Sequence, residues 1–244
     1  MKNFKSILLL SLLGIILTVI FTWPFAVNLK DYFPDHGDYT IHASIFLYNQ
    51  DSLKTGRIFN QEEYFNGYMF YPLPYTLAYA NNSVIPSLIF APLYWLTGSL
   101  PLSINFYTLL TFVFSFLASF YVFKYFVKNT WASLIGAFVF TFNPASMVRF
   151  PQHLDILGKY FLPLLFLFAY KFLGKPNLKF AFWFFLIFTL NALTTTYYMI
   201  ASLVMLPLCF LPFLVVNLFK KNWLYFVDLV KFSFVFLVFV PIIL

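Results

Sequence analysis

From Leu102 to Leu244 the chain is one apolar stretch after another, joined by loops too short to hold a separate domain. A helix of about 20 apolar residues crosses a bilayer core of about 30 Å, and it satisfies its own backbone while doing so. Such a chain folds as an all-α polytopic membrane protein. Composition agrees, with 62% of the 244 residues hydrophobic and 9% charged, against about 25% charged in a soluble domain. The net charge of +7 then bears on orientation in the membrane and is no nucleic-acid footprint. Cys209 is the only cysteine, which excludes an internal disulfide and a cysteine-based zinc site.

Lys2 and Lys5 precede the first apolar run, which is longer than a signal-peptide core and is followed by no small-residue cleavage site. It reads as a retained first span with a cytoplasmic N-terminus. Residues 28–101 form the longest polar-bearing segment. Within it, Asp38 to Thr55 reads as a helix on the membrane surface, with Ile41, Ile45 and Tyr48 on one side and Gly56 as its stop. Asn60 to Tyr79 is irregular, with turns at Asn66-Gly67 and Pro72-Leu73-Pro74. Ser83 to Leu96 is apolar but short. If it crossed, Lys124, Lys128, Lys171, Lys175, Lys179, Lys220 and Lys221 would all lie outside. If it stays on the outer surface, all seven face the cytoplasm with Lys2 and Lys5, as the positive-inside rule prefers.

The predicted crossings are therefore Ile7–Val27, Leu102–Phe123, Trp131–Val148, Ile156–Phe172, Phe180–Leu193, Met199–Phe219 and Trp223–Leu244, seven in all. The whole of 1–244 reads as a single membrane module, with 28–101 as an external loop carrying two surface helices. The chain stops at Leu244 inside an apolar run, as the N-terminal portion of a longer protein would. In this arrangement seven of the eight acidic residues face outward, Asp228 being the exception.

Chemistry-bearing side chains gather in two of the outer loops. Asp35, His36, Asp38 and His42 fall within eight residues, and Asp38 and His42, four apart, share a helical face. Asp38 is also placed to be a plain N-cap. The second cluster runs from Arg149 to Asp155. His153 and Asp155 are spaced for a shared ligand only on an extended loop, and Asp155 could instead cap a helix starting at Ile156. Arg149 and Lys159 lie near the same side, where they could hold a phosphate or snorkel to the interface. Glu62-Glu63 reads as solvated loop. Tyr64, Phe65, Tyr68, Phe70 and Tyr71 could stack on a sugar, although an interfacial aromatic belt accounts for them more simply.

The order of these elements resembles the GT-C superfamily of membrane glycosyltransferases, in particular glycosyltransferase-39-like or YfhO-like bacterial proteins. The features that carry the likeness begin with Gly37-Asp38 after the first span and Leu53-Lys54-Thr55-Gly56 at the end of a surface helix. Phe70-Tyr71-Pro72, Thr76-Leu77-Ala78-Tyr79 and Pro92 to Gly98 follow. Phe142-Asn143-Pro144, His153-Leu154 and Leu162-Pro163-Leu164 complete the set. The resemblance implies an inverting transferase in the bacterial cytoplasmic membrane, with its active site on the outer side. The donor would be a polyprenyl-phosphate sugar and the acceptor a lipid, glycan or protein. It implies that Asp38 is the catalytic acid-bearing residue of the first loop, acting as general base, with Arg149 and Lys159 on the donor phosphate. His153-x-Asp155 is similar to the acidic/His pair of oligosaccharyltransferases. With Asp38 it would hold Mn²⁺ or Mg²⁺. The chain departs from the pattern where Tyr39, and no second acid, follows Asp38. The rival readings are a transporter or channel, with helices broken at Pro163, Pro207 and Pro212, and a non-catalytic membrane scaffold.

Overall fold

The computed structural model describes residues 4–33, 37–67 and 72–243. Among them the chain is helical and contains no strand. It divides into two compact units, Met1–Tyr160 and Phe161–Leu244.

The first unit opens with α1 (Phe4–Phe21) and a single 3₁₀ turn at Phe25–Val27. Helix α2 (Asp38–Thr55) follows Gly37 and stops at Gly56, whose φ of 78° suits a residue without a Cβ. Next come the short α3 (Gln61–Phe65), capped by the Asn60 side chain, and α4 (Val84–Thr97). Helix α5 (Leu100–Val127) is the longest at 28 residues; the Ser99 hydroxyl caps it, and Pro101 stands in its first turn. Asn129 caps α6 (Thr130–Thr141), and Asn143 caps α7 (Pro144–Arg149) with Pro144 at its first position. A turn then leads to α8 (Leu154–Leu157).

Around α5 the unit buries Leu10 of α1, Tyr39 and Phe46 of α2, Phe90 of α4, Ala137 of α6 and Leu157 of α8. Two glycines set how closely the helices approach. A Cβ on Gly14 would sit 3.1 Å from the Phe116 ring, and one on Gly136 would sit 3.0 Å from the Phe123 ring. The face that α2 buries is only partly the one its hydropathy suggests. Tyr39, His42, Ala43, Phe46 and Asn49 point inward, while Ile41 stays 45% exposed. Tyr39, Asn49 and, through Nε2, His42 find partners in protein, so the helix is held by a mixed seam that an apolar stripe does not reveal. Ile45 joins Tyr64 and Leu77 in a separate small cluster.

The second unit comprises α9 (Leu162–Gly174), α10 (Leu178–Ala192), α11 (Thr196–Phe219), α12 (Trp223–Ser233) and α13 (Phe236–Ile243). Leu165, Ile187 and Phe188 form its packed centre. The three prolines that could break helices are placed differently. Pro163 lies in the first turn of α9, where its missing N–H costs nothing, and α11 runs through both Pro207 and Pro212.

Five helical segments among the described residues are long and apolar enough to cross a membrane: Leu100–Val127, Thr130–Arg149, Leu154–Gly174, Thr196–Phe219 and Trp223–Pro241. The chain is an integral membrane protein. The apolar helices Lys5–Phe21 and Leu178–Ala192 are shorter, as is Val84–Thr97. At 14 residues, α4 extends about 21 Å, less than the thickness of a bilayer core.

Candidate active site

The first turns of α2 are anchored from below. Tyr39 is fully buried and its hydroxyl donates to Asn105 Oδ1 at 2.5 Å. Burial pushes this phenol well above its ordinary pKa, so it remains a donor. Asn105 in turn donates to the carbonyls of Leu29 at 2.9 Å and Tyr32 at 2.6 Å, tying the exit of α1 to α5. Further along α2, Asn49 donates to Asn82 O at 2.7 Å and Ser87 Oγ at 2.8 Å, and accepts from the Tyr64 hydroxyl at 2.8 Å. Both asparagines are fully buried. Each is held through both ends of its amide, so α2 has little freedom to slide or rotate.

Held this way, α2 presents Asp38 and His42 to the turn between α7 and α8. There the backbone N–H of His153 donates to Arg149 O at 3.0 Å, which keeps the Arg149 and His153 side chains adjacent. The four residues pair crosswise. His153 Nδ1 lies 2.7 Å from Asp38 Oδ2, and His42 Nε2 is hydrogen-bonded to Asp155 Oδ1. The outer pair meets solvent, with Asp38 51% and His153 27% exposed; the inner pair is closed off, with His42 at 7% and Asp155 at 12%. Only the outer pair can touch a ligand.

Arg149, exposed at the end of α7, adds a third member. Its Nη1 stands 3.1 Å from His153 Nε2. A guanidinium only donates, so Nε2 must accept and the proton of His153 must sit on Nδ1, directed at Asp38. Guanidinium, imidazole and carboxylate thus form a line that ends on a half-exposed carboxylate oxygen. Such a line can orient a base and present a cation to an anion beside it.

Several expectations change at this point. Gly37, not Asp38, occupies the N-cap position of α2, and the Asp38 carboxylate is directed at His153. Asp155 does not cap Ile156; it lies in the first turn of α8 and faces His42. The set Asp38, His153 and Asp155 does not converge on one point. His153 is engaged by Asp38 and Arg149, and Asp155 turns inward. Among the described residues no three His, Cys, Asp or Glu side chains are placed to share an ion.

Lys159 neither snorkels nor faces the outer pair. It is buried, and its ammonium donates to Phe140 O at 2.7 Å, to Thr141 O at 3.1 Å and to Ser146 Oγ. Those carbonyls end α6, where the helix leaves them without partners of its own. All three donors are spent there, so none is left for a phosphate.

Glu62 and Glu63 are exposed in the first turn of α3, as a solvated loop would have them. Tyr64 is buried on Asn49, which removes it as a stacking platform. Asp35, His36, Tyr68, Phe70 and Tyr71 lie outside the described residues. Compared with protein-family models, curated proteins and solved structures, the chain matches none.

Proposed function

We propose that this chain is a membrane glycosyltransferase that moves a sugar from a polyprenyl-phosphate donor to an acceptor on the outer face of a bacterial cytoplasmic membrane. The observation that supports it best is the line Arg149–His153–Asp38, which sets a cation beside an oriented and accessible carboxylate. In the proposed step Asp38 takes the proton of an acceptor hydroxyl as that oxygen bonds to the anomeric carbon from the face opposite the phosphate. The bond from the anomeric carbon to the phosphate oxygen breaks, and its electron pair leaves on the polyprenyl phosphate. Arg149 pairs with that phosphate, whose low basicity makes a general acid unnecessary. His153 holds the carboxylate in place.

The proposed topology is seven crossings with the N-terminus in the cytoplasm and with α2 and α4 on the outer surface, as lysine placement favours.

The test uses the full chain in proteoliposomes containing a polyprenyl phosphate that carries a labelled sugar. Wild type is expected to release or transfer sugar. Arg149→Ala is expected to raise the donor KM by about 10- to 100-fold, the loss of a charged hydrogen bond. Release no faster than from protein-free vesicles would refute the assignment.

A further inference from the structure

A second site, unrelated to Asp38, lies where the N-terminal part of α1 meets the end of α5 and the start of α6. A cavity of about 450 Å³ opens there between the three helices. Its depth is hydrocarbon, supplied by Leu10, Leu13, Phe120 and Leu134, and its rim is polar, supplied by Ser6, Lys124 and Thr130. Leu9, on the same wall, is 66% exposed, so the groove is open along its side.

The cation on that rim is held in place. Lys124 Nζ donates to Thr130 Oγ1 at 2.6 Å and to Lys128 O at 3.1 Å, which leaves its third N–H for another acceptor. Lys5 and Lys128, both exposed, belong to the same helix ends. Thr130 begins α6, whose first turn adds partial positive charge. No Asp or Glu occurs in α1, α5 or α6. The lysines therefore have no carboxylate on the helices that form the groove.

An immobilised cation above an apolar groove that opens sideways calls for an anion joined to a hydrocarbon chain. We infer that this groove holds an anionic phospholipid, its phosphate on Lys124 and one acyl chain along Leu10, Leu13 and Leu134. Basic pockets between membrane helices select anionic headgroups in this way. Because Lys124 is already fixed by two hydrogen bonds, little side-chain freedom is lost on binding. Neither the residues nor the ligand depend on the transferase reading.

The experiment is native mass spectrometry of the full chain released from nanodiscs of mixed phosphatidylglycerol and phosphatidylcholine. Wild type is expected to retain one phosphatidylglycerol in preference to phosphatidylcholine. Lys124→Gln keeps a donor for the Lys128 carbonyl but loses the charge, and is expected to lower that retention about fivefold, the effect of one cationic contact. Lys124→Arg should restore it. Leu134→Trp, which fills the groove and leaves every lysine in place, should lower it as well. Lys220→Gln, in the other unit, should have no effect. Equal retention of the two lipids by wild type, or unchanged retention in Lys124→Gln, would overturn the inference. Unchanged retention in Leu134→Trp would overturn the groove as the site.

Discussion

At the scale of single residues, the two imidazole–carboxylate pairs have the same chemistry and opposite roles, and burial decides which is which. His42→Ala strands the Asp155 carboxylate in a site only 12% exposed. Breaking a buried pair costs about 3–5 kcal/mol, and the remaining exposure puts the expected loss near the lower figure. Asp38→Asn affects a half-exposed pair and should cost under about 1 kcal/mol. Equilibrium unfolding of the two variants in mixed micelles checks the contrast, and equal losses would contradict it. Lys159→Met takes the ammonium from the Thr141 carbonyl and the Ser146 hydroxyl, while the Phe140 carbonyl keeps the Asn143 amide as a donor. A loss of about 1–3 kcal/mol is expected from the same measurement. Asp38, Arg149 and His153 were legible in the sequence because charge is scarce and they stand in the two loops expected to be outer. The crossed pairing was not legible, since it depends on how the α7–α8 turn faces α2. A lysine in an apolar run resembles a snorkelling one, and only the break between α6 and α7 supplies the carbonyls that Lys159 serves.

At the scale of elements, the bounds of α2 follow from local signals, Gly37 before it and Gly56 after it. Its buried face does not. Periodicity picks out Ile41, yet the helix turns His42 and Asn49 inward because Ser87, Tyr64 and Asp155 are there to receive them. Hydropathy scores such residues as solvent-facing and so misses them, although Ile45 on the expected side is buried. Gly136 of α6 lies against α5, where a Cβ would come within 3.0 Å of the Phe123 ring. Gly136→Ala is expected to destabilise the protein by about 1–3 kcal/mol through overpacking, despite alanine's better helix propensity. A neutral or stabilising result would show that the ring can move aside.

At the scale of the whole molecule, the membrane class was evident from hydropathy, because every spanning helix must be apolar along its length. The number of crossings is harder to read, because α1 and α10 are shorter than the five long segments and helix tilt or bilayer thinning decides whether such a helix spans. The proposed topology is open to a direct check. Lys128→Cys should resist an impermeant thiol reagent in intact cells, while Asn66→Cys should react; reaction at both would exclude the arrangement. Two loops that such a topology brings to one side are the ones whose residues meet in the Asp38–His153 pair. The most direct test of the proposed function is therefore the rate of sugar transfer from a labelled polyprenyl phosphate by Asp38→Asn, measured on protein that inserts and unfolds like wild type. Loss of a positioned base predicts a fall of about 10²–10⁴-fold. Transfer at the wild-type rate would contradict Asp38 as the base.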